Sequence, residues 1–333
     1  MSPIKNCIKK KDTNRTPIWL MRQAGRYLPE FREIRKINTD FIKLCLNEKL
    51  SSEITLQPIK RFGFDAAIIF SDILMLPYGL KQNVIFEKNF GPKLGEIDLE
   101  KINRLGEEDF TNILKPVYNA ISLTAQDKLL EKRDMIGFVG APWTILVYMI
   151  NKMSPKKQLS ENFFNDKYLI KTLFEVVEKF LKLHIKNQVE AGANIIQIFD
   201  SWAGLLENNI EDFIYNPTLN LVNYTKKLGV PVICFPRGIK NYKIFCQTVK
   251  PDMINIDYDI DPRKIVKDID IPVQGGLDPK VLLTDKDNVK KEVEKYLEIF
   301  KDHPYVFNLG HGILPETKIE IVEELVNIVR NYK

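Results

Sequence analysis

Short apolar runs recur along the chain at the length of buried parallel strands, with helix-length segments between them. They are Ile18–Met21, Ala66–Phe70, Ile136–Val139, Ile195–Phe199, Val232–Phe235, Met253–Ile256, Ile271–Gln274 and Val306–Leu309. Between them the period changes. Asp166–Ala191 and Asp285–Phe300 carry Leu, Ile, Lys and Glu at three- and four-residue spacing, the pattern of helices with one apolar face. Eight strands alternating with helices predict an α/β fold, a single (β/α)8 TIM-type barrel with additional helices over residues 1–333. A doubly wound open sheet is the competing architecture. The gap from 71 to 135 is long for one crossover and predicts extra helices or a decorated rim.

The residues that follow each run share a character. Arg22, Gln23 and Arg26 follow the first, Ser71 and Asp72 the second, and Gly140 to Trp143 the third. Asp200 and Ser201 follow the fourth, Pro236 to Gly238 the fifth, and Asp257 and Asp259 the sixth. Gly275, Gly276 and Asp278 follow the seventh, and Gly310 to Gly312 the eighth. In a barrel these ends converge on one mouth, where active sites sit. A single strand-end Asp is ordinarily a helix cap. Polar endings on all eight strands together predict an enzyme mouth.

Composition narrows the class. The 333 residues are 44% hydrophobic and 28% charged, which suits a folded globular chain and not a disordered one. The longest uncharged stretch, 135–151, falls short of a membrane span and contains Gly137, Gly140 and Pro142. Asp12, Thr13 and Asn14 follow the lysines at 9–11 where a secretory signal would need an apolar region. Four scattered cysteines with no C-x-x-C predict free thiols and a cytoplasmic location. The net charge of +5 is spread as Lys interleaved with Glu and Asp, which argues against a nucleic-acid stripe. The basic residues divide into 38 Lys and only 11 Arg, yet Arg22, Arg26, Arg32 and Arg35 fall within fourteen residues. Arg presents a rigid fork matched to carboxylate or phosphate, which Lys does not.

Asp72 stands between two apolar runs, so its carboxylate is expected to be largely desolvated, either bonded to backbone amides or held as a fixed negative charge. Of the three histidines, His184 lies mid-helix among lysines and His303 in a charged loop, so both are expected at the surface. His311, between two glycines with nothing on either side to shield its ring, is the functional candidate. No HExxH, H-x-C or clustered Cys/His spacing points to a metal. A G-x-S-x-G elbow, a Walker loop and a G-x-G-x-x-G fingerprint are all missing. Gly275–Gly276 and Gly310–Gly312 keep a phosphosugar enzyme open.

Several segments together resemble the uroporphyrinogen decarboxylase family. Residues 17–32, PIWLMRQAGRYLPEFR, are similar to its first signature, and 137–144, GFVGAPWT, to its second. FSDIL (70–74), FDSWAG (199–204), QGGLDP (274–279) and NLGHGI (308–313) fall in the family's order and spacing. The resemblance covers nearly the whole chain. It implies a single (β/α)8 barrel, commonly a homodimer with facing clefts, working without metal or organic cofactor. The activity it implies is removal of carbon dioxide from the four acetates of uroporphyrinogen III, giving coproporphyrinogen III in haem biosynthesis. Carried over by motif, the substrate-binding residues would be Arg22, Gln23, Ala24, Gly25, Arg26, Asp72, Tyr148, Ser201 and His311, with Arg35 a further candidate. Asp72, Arg22, Arg26 and Tyr148 would be the catalytic set.

The implied substrate suits these residues. Eight carboxylates call for Arg forks, and four inward pyrrole N–H groups call for one central acceptor such as Asp72. A protonated pyrrole is an electron sink for the breaking carbon–carbon bond, and a fixed carboxylate stabilises that charge. The proton donor is Arg22, Arg26 or a water; an Arg is a poor general acid unless strongly perturbed. Three rivals remain. A zinc-dependent corrinoid methyltransferase on the same barrel would need thiolate and imidazole ligands, a phosphosugar lyase a strand-end Lys or Glu, and a tetrapyrrole carrier would leave the carboxylates intact.

Overall fold

The computed structural model describes residues 2–9, 15–87, 90–155, 158–160 and 163–332. Most of the lysine cluster and Asp12–Asn14 therefore lie outside the described residues. A short helix α1 (Pro3–Ile8) is followed by α2 (Pro29–Ile37), α3 (Phe41–Cys45), α4 (Glu48–Phe62) and the first strand β1 (Ala66–Ile68). The long gap holds α5 (Met75–Gly79), an antiparallel hairpin of β2 (Val84–Glu87) and β3 (Gly91–Leu94), α6 (Leu99–Asn103) and α7 (Glu107–Ala125). Strand β4 (Asp134–Gly140) leads through α8 (Pro142–Asn151) and α9 (Lys167–Glu190) to β5 (Ile195–Asp200). The alternation then runs α10 (Asn216–Lys227), β6 (Val232–Pro236), α11 (Tyr242–Val249), β7 (Met253–Ile256), α12 (Pro262–Asp268), β8 (Val273–Gly275), α13 (Lys286–Ile299), β9 (Tyr305–Val306) and α14 (Ile319–Asn331).

The strands pair in parallel in the order β1-β4-β5-β6-β7-β8-β9. The predicted first strand, Ile18–Met21, is extended but makes only a bridge, Ile18 to Phe307. It nevertheless joins the two edges of the sheet. On one side Phe307 N–H donates to the Pro17 carbonyl (2.8 Å) and Trp19 N–H to the Phe307 carbonyl (3.3 Å). On the other, Asp65 N–H donates to the Ile18 carbonyl (2.9 Å), while Asp65 Oδ2 accepts the Ile18 amide (2.8 Å). The Arg15 guanidinium clasps the same carboxylate. Side-chain bonds thus replace part of a ladder at the seam, which is why the segment does not register as a full strand.

The helical expectations hold at both ends. Asp166 caps α9 by accepting the Leu169 amide, and Asp285 caps α13 by accepting the Asn288 amide. One cluster of buried apolar side chains runs from Ile4 to Val329. The barrel interior also carries a polar layer, and Gln197, Asn255, Gln274 and Asn308 have no exposure. Gln274 Nε2 donates to Gln197 (3.0 Å) and Asn255 (2.8 Å), and its Oε1 accepts the Trp19 indole N–H (3.1 Å). Asn308 Oδ1 accepts the Met21 amide (2.8 Å), pinning the start of the chain to its end. No helix among the described residues is long and apolar enough to cross a membrane.

Candidate active site

The chain leaves the 17–20 segment in a tight turn that sets the first site residue. Gln23 N–H donates to the Leu20 carbonyl (2.9 Å). The Gln23 side chain is fully buried: Oε1 accepts the Leu20 amide (3.1 Å) and Nε2 donates to the Ala66 carbonyl (2.9 Å). Arg22 has φ 62, a left-handed conformation costly for a bulky residue and retained only where the surroundings enforce it. Its side chain runs over Gly312, where any Cβ would collide with Arg22 Cδ.

Asp72 lies in the bend between β1 and α5, half-buried. Its Oδ1 accepts the Leu74 amide (2.9 Å). Burial pushes the carboxyl up to about 6, against the opposing pull of the Leu74 amide and the Arg22 charge. Tyr148, on α8, lies within the field of both Asp72 and Arg22; burial raises its phenol, so it stays a neutral donor. Its hydroxyl faces Ser154 Oγ at 3.4 Å, and its ring meets Trp202 edge-on at 5.9 Å. The turn carrying Ser201 is held from below. Asp200 Oδ1 accepts the Thr144 hydroxyl (2.6 Å), Thr144 Oγ1 accepts the Trp202 amide (3.1 Å), and the Trp143 indole donates to the Trp202 carbonyl (3.0 Å). Asp200 is buried, which pushes its carboxyl up to about 7.

The far side of the mouth is built around His311. Gly310 packs so tightly on Asp257 and Tyr258 that a Cβ would collide with the Tyr258 amide nitrogen. The neighbouring His311 is half-buried, and its Nδ1 has no hydrogen-bond partner among the described residues. Burial, Arg22 and Arg237 together push the imidazole down to about 3, so it is neutral. The expectation that nothing shields this ring is thus corrected: the ring is half-buried, and the charges of Arg22 and Arg237 add to the effect of burial. Arg237, at the end of β6, pairs with Asp257 (Nε to Oδ2, 3.7 Å). Sequence reasoning noted Arg237 and Asp257 only as strand ends; their mutual placement has no local signal.

The other sequence candidates divide. Arg26 is exposed, and its carbonyl accepts from Arg32 (3.3 Å). Arg35 donates to the Asn38 carbonyl and lies over the Phe41 ring at 5.7 Å. Ala24 packs on the core, and Gly25 accepts the Leu28 amide (3.0 Å) within the turn. Gln23 therefore supports the wall instead of pointing its amide into the mouth. His184 overturns the surface expectation: it is 4% exposed, its Nδ1 meets the Tyr118 hydroxyl at 2.9 Å, and burial pushes it down to about 3. The lysines beside it occupy the outer helix face, and the ring lies on the inner one against α7. His303 is half-buried and bonded to the Ile271 carbonyl (2.9 Å), again not free at the surface. The Gly275 and Gly276 carbonyls accept the Tyr305 (2.8 Å) and Tyr296 (2.7 Å) hydroxyls, so these glycines serve packing. Among the described residues no three His, Cys, Asp or Glu side chains gather as a metal site requires.

The mouth thus holds a raised carboxyl at Asp72 within the field of Arg22, with the neutral Tyr148 phenol beside both. The family profile for uroporphyrinogen decarboxylase (URO-D) matches residues 1–332. The chain belongs to the uroporphyrinogen decarboxylase family. A protein of Rickettsia bellii (strain RML369-C) named uroporphyrinogen decarboxylase is 41% identical over 340 residues, spanning 100% of this chain and 99% of the relative. One of the same name from Orientia tsutsugamushi (strain Ikeda) is 40% identical over 346 residues, spanning 100% and 99%. Among solved structures, a methyltransferase from Methanosarcina mazei superposes with a TM-score of 0.80, covering 99% of this chain and 98% of that one. At 17% identity that likeness shows the shared barrel fold alone.

Proposed function

We propose that this member of the uroporphyrinogen decarboxylase family decarboxylates the four acetate side chains of uroporphyrinogen III in haem biosynthesis. The observation that carries the reading is Asp72: a carboxylate raised to about 6 yet kept largely ionised at neutral pH, with Arg22 and Tyr148 within its field. Four pyrrole N–H groups converge on Asp72 as acceptor. Arg22 and Arg26 take carboxylates as forks, with Arg35 at the edge. Protonation of one pyrrole carbon makes the ring cationic. The bond from the acetate methylene to its carboxylate then breaks, carbon dioxide leaves, and the electron pair enters the ring. A second proton on the methylene carbon yields the methyl group, and loss of the first restores the pyrrole. Per acetate, one proton replaces one carbon dioxide.

Asp72 stabilises the cationic ring because its charge is fixed in place before the reaction, in a setting with little water. Tyr148 and Ser201 hold the departing acetate. His311, being neutral, donates a hydrogen bond and does not serve as the acid. Gln23, Ala24 and Gly25 contribute by shaping the turn that aims Arg22. Ordinary side-chain chemistry accounts for every step, so we take the enzyme to act without a metal or organic cofactor, as a single barrel domain. We further propose a homodimer, with Ile37, Phe90 and Tyr168, exposed at 85, 79 and 74%, as candidate interface side chains, and a cytoplasmic location, where the four free cysteines would stay reduced.

Anaerobic incubation with uroporphyrinogen III, followed by product analysis, tests the reading. Coproporphyrinogen III with four equivalents of carbon dioxide is expected. Recovery of tightly bound but unchanged octacarboxylate would instead make the protein a carrier.

A further inference from the structure

Resting on that reading, we infer that Arg237 is a further substrate-binding residue, holding a carboxylate that the substrate keeps throughout, one of its propionates. Arg237 leaves the C-terminal end of β6 with its backbone fixed. Its N–H donates to the Asp200 carbonyl (3.0 Å), and its carbonyl accepts the Gly204 amide (3.0 Å). The following residue, Gly238, packs on Gly204 so closely that a Cβ at Gly204 would meet the Gly238 oxygen at 2.7 Å. The anchor of the guanidinium is Asp257. That carboxylate is itself occupied: Oδ1 accepts the Tyr258 amide (2.9 Å) and Oδ2 the Gly238 amide (3.2 Å). Arg237 reaches it only through Nε at 3.7 Å, too long for a hydrogen bond. The side chain stays 30% exposed. A guanidinium has five N–H donors, so its outer edge remains available to a ligand.

The position matters as much as the free donors. Gly310 presses on Asp257 and Tyr258, which brings His311 beside the Arg237–Asp257 pair. The charges of Arg237 and Arg22 both act on His311, from the β6 side and from the first turn. Two cations flanking one neutral imidazole form a receptor for an anion. Asp72 follows β1 and lies in the field of Arg22, whereas Arg237 follows β6, three strands further along the sheet. A fork gripping the reacting carboxylate would stabilise the ground state and slow its loss as neutral carbon dioxide. A fork remote from the reacting centre carries no such penalty, so it suits a carboxylate that survives turnover.

The test compares variants by steady-state kinetics and by fluorescence titration with uroporphyrin and coproporphyrin, the oxidised octa- and tetracarboxylates, which bind without turnover. Arg237→Gln should raise KM and both dissociation constants roughly ten- to hundredfold, with kcat changed less than about threefold. Arg237→Lys, a point charge in place of a fork, should fall between; it serves if the Gln variant does not fold. Asp257→Asn, which weakens the anchor but keeps the fork, should raise both constants by less than Arg237→Gln does. Normal KM in folded Arg237→Gln overturns the inference, as does an Asp257→Asn defect larger than that of Arg237→Gln. Weakened binding of uroporphyrin alone overturns the assignment to a retained carboxylate. A wild-type protein that fails to decarboxylate uroporphyrinogen sinks the proposed function itself, a distinct outcome.

Discussion

Two aspartates at strand ends differ in their surroundings, and the surroundings of each decide how it behaves. Asp72 keeps one oxygen on a backbone amide and has Arg22 nearby, so at neutral pH it remains charged where a cationic ring would form. On the proposed reading the ionised form is the active one, so kcat/KM should fall as pH drops through about 6. Asp72→Asn should lose about 10²–10³ in kcat, retain its melting temperature, and lack that acid limb. A variant that is less stable yet fully active per folded molecule would reduce Asp72 to a structural carboxylate. Asp200 is a support: buried, bonded by Thr144, with Oδ2 unpartnered. Its carboxyl is raised to about 7 in the fold, above the unfolded value of roughly 3.9. The folded state therefore holds a proton that the unfolded state has lost between those values, and its contribution to stability declines as pH rises through that window. Asp200→Asn should gain on wild type from pH 5 to pH 8, by up to roughly 2.5 kcal/mol. Parallel melting curves at the two pH values that leave the difference unchanged would contradict this.

At the scale of elements, the mouth is made by loops that touch backbone to backbone, and glycines permit the approach. The two glycines around His311 do different jobs. Gly310 abuts the backbone of Tyr258, which cannot move aside, whereas Gly312 abuts the Arg22 side chain, which can. Gly310→Ala should therefore cost stability, on the order of 2 kcal/mol or more. Gly312→Ala should leave the melting temperature within a few degrees but displace Arg22 and lower kcat/KM at least tenfold. Equal losses of stability in the two variants would contradict the division. The same logic explains the seam: segment 17–20 closes the ring through Asp65 and Phe307 while its far end is bent into the Arg22 turn.

For the molecule as a whole, the expectation is a dimer and a metal-free reaction. Activity should survive exhaustive chelation, since the gathered ligands a metal needs are missing among the described residues. Loss of turnover with EDTA, restored by zinc, would require a different mechanism. Light scattering should give about twice the 38.7 kDa chain mass. Replacing the exposed Ile37 and Phe90 with polar residues should lower that mass toward a single chain, and an unchanged mass would remove them from the interface.

Local order along the chain determined the strand runs, the caps of α9 and α13, the collection of polar residues at strand ends and the arginine-rich turn, because period, capping and turn chemistry are short-range. The motifs at 17–32 and 137–144 carried the family. Tertiary structure decided the rest. His184 is buried because its ring lies on the helix face that meets α7, and neighbouring lysines do not reveal which face that is. Gln23 became a support because its amide reaches Ala66, forty-three residues on. The hairpin of β2 and β3 occupies a stretch where only helices or a rim were expected. The half-buried His311 lies in the field of Arg22, from the opposite end of the sequence, and of Arg237, from the middle. Closing the seven-stranded sheet through segment 17–20 sets such neighbours by geometry, and sequence separation places no limit on them.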